Sequence, residues 1–140
     1  MELIQVDDVR QQIVELKRLV RVVDSGTHAL LDGGTVRRVD FKFSADLKYI
    51  EPDPRVGLSF ATNMKKFKGL LRLKGRFVSQ VDVFVIDPAT VHIPGLRFIP
   101  DSPGHCSLVA TERIKVDELV KKLEALAIKM EFIGRIAVTP

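Results

Sequence analysis

Val81-Asp82-Val83-Phe84-Val85-Ile86-Asp87-Pro88 reads as a strand with a hard stop. β-Branched and aromatic residues fill the run, and Pro88 both pushes Asp87 out of the helical region and removes a ladder donor. Downstream the chain crosses a loop punctuated by Pro94, Pro100 and Pro103 and enters a second strand, His105-Cys106-Ser107-Leu108-Val109-Ala110. No helix separates the two strands, so the strict strand-helix alternation of a parallel doubly wound sheet is broken. An α+β fold with a mostly antiparallel sheet follows, carrying two main helices and one shorter basic helix.

The neighbouring segments agree with that reading. Val116 to about Lys129 places Leu119, Val120, Leu123, Leu126 and Ala127 on one stripe, with Asp117 and Glu118 in the first turn, and predicts a helix. Phe132 to Val138 follows as a last strand. Upstream, Arg55 to Ala61 reads as a short strand, after which Thr62 or Asn63 caps a helix carrying Met64, Phe67, Leu70 and Leu71; Gly69 weakens it. Near the start, Val9, Ile13, Leu16 and Leu19 recur at spacings of four and three, predicting a helix over about 7–19. Leu19-Val20-Arg21-Val22-Val23 suits a strand and is broken by Asp24-Ser25-Gly26 and then by Asp32-Gly33-Gly34. Thr35 to Phe43 alternates imperfectly, as a half-buried strand would.

Composition bounds the class of object. The 140 residues are 46% hydrophobic and 29% charged, enough for one core over 1–140 treated as a single domain. Cys106 is the only cysteine, which excludes an intrachain disulfide and a multi-cysteine zinc site. The first ten residues lack a long apolar run, and no span of eighteen apolar residues occurs. A soluble, cytoplasmic chain with no membrane partner is the expectation.

Charge is unevenly placed. No acidic residue lies between Asp53 and Asp82, a window that holds Arg55, Lys65, Lys66, Lys68, Arg72, Lys74 and Arg76. Setting these seven aside leaves 15 basic against 18 acidic residues, so the net charge of +4 is a local feature. The segment 55–76 either attracts a polyanion, with Lys65, Lys66, Lys68, Arg72, Lys74 and Arg76 contacting nucleic acid, or is a solvated helix face.

Strong phosphate motifs are absent: Gly33-Gly34 lacks the spaced glycines of a dinucleotide fingerprint, and no Walker loop occurs. His28, His92 and His105 are too widely spaced for a helical zinc motif, and no metal is expected. His105 follows Asp101-Ser102-Pro103-Gly104 and shares a face with Ser107, which suits either a general acid or base or a residue that orders the loop. His28 reads as a loop residue and Cys106 as a buried structural one. Arg21 interrupts an apolar strand, so its planar fork either faces a cleft that takes phosphate or snorkels at an edge. Ser59 sets a hydroxyl opposite Leu58 and Phe60.

The stretches Leu19-Val20-Arg21-Val22-Val23 and Gly57-Leu58-Ser59-Phe60-Ala61-Thr62 resemble, in order, the early-strand arginine and the later serine-containing strand of small bacterial ADP-ribosyltransferase-like domains, toxins among them. The resemblance covers the first half of the chain. It implies a split antiparallel sheet gripping NAD, with Arg21 on the phosphates, Ser59 supporting the nicotinamide ribose, and a protein partner such as an inhibitor. The family's later-strand glutamate has no counterpart here, since Glu112 falls at a turn and Glu118 in a helix. Two alternatives use the same residues: a metal-independent ribonuclease-like toxin built on His105 and Arg21, and a non-catalytic module whose basic segment binds RNA, DNA or an acidic protein.

Overall fold

Six strands form the central sheet of the computed structural model, which describes residues 2–138. In chain order the elements are β1 (Leu19–Asp24), β2 (Lys42–Phe43), β3 (Tyr49–Glu51), β4 (Gly57–Ala61), α1 (Met64–Lys74), β5 (Gln80–Ile86), β6 (Leu96–Ser102), β7 (His105–Ala110), β8 (Ile114–Lys115), α2 (Val116–Lys129) and β9 (Glu131–Ala137). The sheet order is β6-β7-β4-β1-β5-β9, and each neighbouring pair is antiparallel. A second, three-stranded sheet runs β2-β3-β8. The fold is α+β and antiparallel.

Alternation along the strands sends two sets of apolar side chains to opposite faces. On one face Val20, Val22, Val81, Val83 and Val85 pack under Phe67 and Leu71 of α1, with Val9 and Ile13 beside them. On the other, Leu58, Phe60, Cys106 and Leu108 meet Leu119, Leu123 and Leu126 of α2 together with Ile50 and Ile114 of the small sheet. Helix α1 begins where Asn63 accepts a hydrogen bond from the Lys66 amide at 2.8 Å, as a cap should. Helix α2 has the predicted bounds, with Asp117 and Glu118 in its first turn.

Three segments differ from the sequence reading. The helix expected over 7–19 is instead a 3-10 turn, Val6–Val9, followed by a π turn, Gln11–Glu15. Val9 and Ile13 are buried, but Leu16 is 46% exposed and Leu19 already belongs to β1, so no continuous stripe holds an α-helix there. Lys17, at φ 55°, redirects the chain between the two. Of residues 35–43 only Lys42–Phe43 form a strand, β2: 38–40 are a turn, and Val36 and Phe41 are buried five positions apart while Val39 is 71% exposed, which does not fit the alternation of one half-buried strand. The proline-punctuated loop contains a strand, β6. It is an edge strand, where Pro100 sacrifices no inner ladder bond, and the register with β7 shifts between Pro100 and Ser102.

Gly69 lies inside α1, and a Cβ built on it meets nothing within 4 Å. Gly69→Ala is therefore expected to stabilise the fold by roughly 0.5–1 kcal/mol, because alanine costs less backbone entropy in a helix. A denaturant melt checks this, and a lower midpoint would show that the position is not open.

Cys106 is buried among Phe60, Leu108 and their neighbours. Burial pushes its thiol up to about 11, and the Asp101 carboxylate adds to the rise. Iodoacetamide should leave the folded protein unmodified at mildly alkaline pH and label it only on unfolding; rapid labelling of the native protein would contradict that.

Candidate functional site

Strands β1 and β4 meet at one register position, Val20 opposite Ala61. Past that point a side chain takes over the pairing. Arg21 Nε donates to the Ala29 carbonyl at 2.9 Å and Nη1 to the Ser59 carbonyl at 3.2 Å, so the guanidinium spans the gap between the segment after β1 and the backbone of β4. The sheet is thus close to split in two, with a cleft of about 370 Å³ at the split. Its walls include Arg21, His28, Arg37, Ser59 and Lys74 among the polar residues, and Val22, Leu30, Leu31 and Leu70 among the apolar ones. That volume lies within the usual range for small-molecule sites.

Local turn chemistry carries the wall residues to the cleft. Gly26, at φ 81°, lets the chain reverse after β1, and the amide and hydroxyl of Thr27 both donate to the Asp24 carbonyl. His28 then accepts at Nδ1 from the amides of Leu30 and Leu31, at 3.0 Å each. With Nδ1 an acceptor, the ring proton sits on Nε2. Gly33 and Gly34 both have positive φ and close a two-residue turn in which Asp32 and Thr35 exchange backbone hydrogen bonds. Arg37 follows that turn, exposed at the cleft.

The turn after β1 is held from below by Asp82 of β5. Its carboxylate accepts from the Gly26 amide at 2.9 Å, from Ser25 Oγ at 3.3 Å, and from Arg135 Nε of β9 at 2.8 Å. Burial alone would raise the Asp82 carboxyl, but the bonds from Arg135, Gly26 and Ser25 together outweigh it and hold the group below the usual carboxylate range.

Electrostatics mark Arg21 as the unusual group. Burial lowers its guanidinium from the ordinary value, Asp40 pushes it back up, and Arg37 lowers it further. Asp40 is shifted the other way: burial raises its carboxyl, and Arg21 and Arg37 only partly offset that. One Asp40 oxygen is buried with no hydrogen-bond partner among the described residues. Lys74 turns from α1 to pair with Asp24 at 2.8 Å, an ion pair open enough to solvent to be worth little on its own.

Of the residues singled out in the sequence, Arg21, Ser59 and Lys74 share this cleft. His105 lies outside it, at the start of β7 opposite Ala61. Its Nδ1 is 2.5 Å from Asp101 Oδ1, and Ser107 Oγ donates to Asp101 Oδ2 at 2.7 Å, so the carboxylate ties the end of β6 to β7. Burial favours the neutral Asp101 carboxyl, yet the bonds from Ser107 and His105 hold it below its usual value. His105 is thus held by a side chain, Asp101, across the turn that joins the two strands. Lys65, Lys68, Arg72 and Arg76 are exposed along α1 and just beyond it. No group of three metal-ligating side chains occurs among the described residues, and no helix there is long and apolar enough to cross a membrane. Glu112 lies in a turn and Glu118 in α2, while Glu131, which opens β9, pairs with Arg18 at 2.7 Å; none lines the cleft.

His28, Arg37 and Asp82 carry more of the site than the sequence reading gave them. Two paired turns within a dozen residues were the available sign for His28 and Arg37, and an acid inside an apolar strand was the sign for Asp82. Comparisons of the chain with family models, with curated proteins and with solved structures found no match.

Proposed function

We propose that this chain binds a phosphate-bearing nucleotide, NAD or its mononucleotide part, in the cleft between β1 and β4. The observation that carries this reading is Arg21: a half-buried guanidinium at the split of the sheet, committed through Nε and Nη1 to the Ala29 and Ser59 carbonyls, with no bond from Nη2 among the described residues. A cation in a low-dielectric wall attracts a phosphate more strongly than one in water. Arg37 supplies a second cation from the exposed rim, and Lys74 can exchange its solvent-screened bond to Asp24 for a phosphate oxygen. His28 offers an Nε2 donor and Ser59 a hydroxyl for ribose oxygens. Leu30, Leu31 and Leu70 give the apolar wall against which a base can pack.

These roles match what the resemblance to ADP-ribosyltransferase-like domains implies for Arg21 and Ser59, and they stop short of transfer, for which no glutamate lines the cleft. The ribonuclease reading is less well supported, since it needs His105 beside Arg21 at one phosphate, and His105, bound on β7 to Asp101 of β6, does not line the cleft.

Titration calorimetry with NAD, ADP-ribose and AMP tests the proposal. Saturable binding is expected, weakened roughly tenfold in Arg37→Ala, which loses one charge-assisted contact. Arg37 is exposed and makes no ion pair among the described residues, so this variant should keep its fold. Absence of binding by all three nucleotides, or binding indifferent to Arg37, would overturn the reading.

A further inference from the structure

Lys65, Lys68 and Arg72 recur at spacings of three and four along α1, and Arg76 continues the interval four residues on, just past the helix end. That spacing puts them in one line on one face. The line covers eleven residue steps from Lys65 to Arg76, about 16 Å at the helical rise. All four are exposed, and none forms an ion pair among the described residues. The apolar face of α1, with Phe67 and Leu71, is already buried against the sheet, so the basic line is the helix's outward face.

Beside the line stand two apolar side chains that the core does not use. Phe77 is 79% exposed and Leu73 52% exposed. Between Lys68 and Arg72 lies Gly69, whose missing side chain is not explained by packing, since a Cβ there would touch nothing within 4 Å. The face therefore offers a row of cations, a bare stretch of helix backbone at its middle and a free aromatic ring at one end.

We propose that this outer face of α1 is a docking surface for single-stranded nucleic acid, with the cations tracking the phosphates and Phe77 stacking on a base. It is independent of the cleft reading. Charge complementarity selects a polyanion, and the ring selects among polyanions. A base has a π-face for Phe77 to meet, whereas an acidic peptide offers only charge. An anionic membrane needs a continuous apolar face to insert, and among the described residues of α1 and the turn after it only Leu73 and Phe77 are exposed large apolar side chains. A duplex hides its bases in the stack and would leave Phe77 without a role.

Fluorescence anisotropy of the whole chain with a labelled single-stranded oligonucleotide tests the proposal, using RNA and DNA forms of one sequence, its duplex, polyglutamate, and vesicles containing phosphatidylserine. The single strand is expected to bind with a slope of log affinity against log salt of about −3, from four contacts at about −0.7 each. Phe77→Ala should weaken binding about tenfold with the slope unchanged, because stacking releases no counterions. Arg72→Ala should reduce the slope by about 0.7, and Lys68→Glu with Arg72→Glu should remove most of the binding. Tighter binding to RNA than DNA would point to 2′-hydroxyl contacts, and equal binding to phosphates and bases alone; either supports the surface. Binding to polyglutamate, duplex or vesicles as tight as to the single strand would overturn it, as would indifference to both Phe77→Ala and Arg72→Ala or no binding at low salt. All these side chains are exposed, so thermal melts should match the parent, and the single Arg72→Ala variant decides the matter if the double charge reversal does not fold.

Discussion

Asp82→Ala should destabilise the protein by about 1–3 kcal/mol, since it removes the acceptor that a turn amide, a hydroxyl and a guanidinium share. Asp82 is 7% exposed and its partner Arg135 25%, so the guanidinium left behind is only partly rescued by water. The variant also strands the Gly26 amide and the Ser25 hydroxyl, which the carboxylate now accepts from. Asp82→Asn should cost less, because an amide oxygen can still accept from Gly26. The same group predicts acid behaviour. Its folded-state pKa is depressed below the unfolded value of about 3.9, so its stabilisation is complete above that value and is lost as pH falls toward the folded one. Urea melts across the acid range should therefore show a smaller loss of stability with falling pH in Asp82→Asn than in the parent. Equal pH dependence in the two proteins would mean the network around Asp82 contributes nothing to the acid transition.

Arg21→Ala should lower nucleotide affinity by roughly 10- to 100-fold, the cost of a charge-assisted contact to phosphate. It should also reduce folding stability by about 1–3 kcal/mol, because the Ala29 and Ser59 carbonyls lose their donor where β1 and β4 part. Arg21→Lys separates these effects. A lysine keeps the charge but cannot donate to both carbonyls from one planar fork, so part of the affinity should survive while the stability loss remains. Calorimetry below the melting range of each variant reads the first effect and thermal melts read the second. Unchanged affinity in a folded Arg21→Ala variant would remove Arg21 from the binding site.

Legibility in the sequence followed the range of the interactions. Helix α2 and strand β7 could be bounded closely because each is set locally, by an amphipathic stripe with acidic first-turn residues in one case and by a short, mostly apolar run after Pro103-Gly104 in the other. Strand β6 could not, because Pro100 within it and Pro94 and Pro103 on either side read as loop punctuation until its place at the sheet edge is known. The helix expected over 7–19 failed because Leu19, in register with the helical stripe, belongs to a strand that the sheet claims. Arg21 was visible as a charge in an apolar strand, and Ser59 as a hydroxyl between large apolar neighbours. Their meeting was not visible, since Arg21 reaches the Ser59 carbonyl 38 residues away. Asp82 posed the same problem: its partners are Gly26, 56 residues before it, and Arg135, 53 after. Nothing local announces a carboxylate that pins a turn across the sheet.

The two charged regions of the molecule make distinct demands, which one measurement can separate. Amide chemical-shift mapping during titration with NAD reports which backbone groups sense the ligand. Nucleotide binding in the cleft predicts saturable shifts confined to Arg21 through Asp32, Arg37, Ser59, Leu70 and Lys74, with Lys65 and Lys68 on the outer face of α1 and Phe77 just past its end unmoved. Shifts centred on that outer face, or none at saturating NAD, would contradict the proposal that the split between β1 and β4 is a nucleotide site.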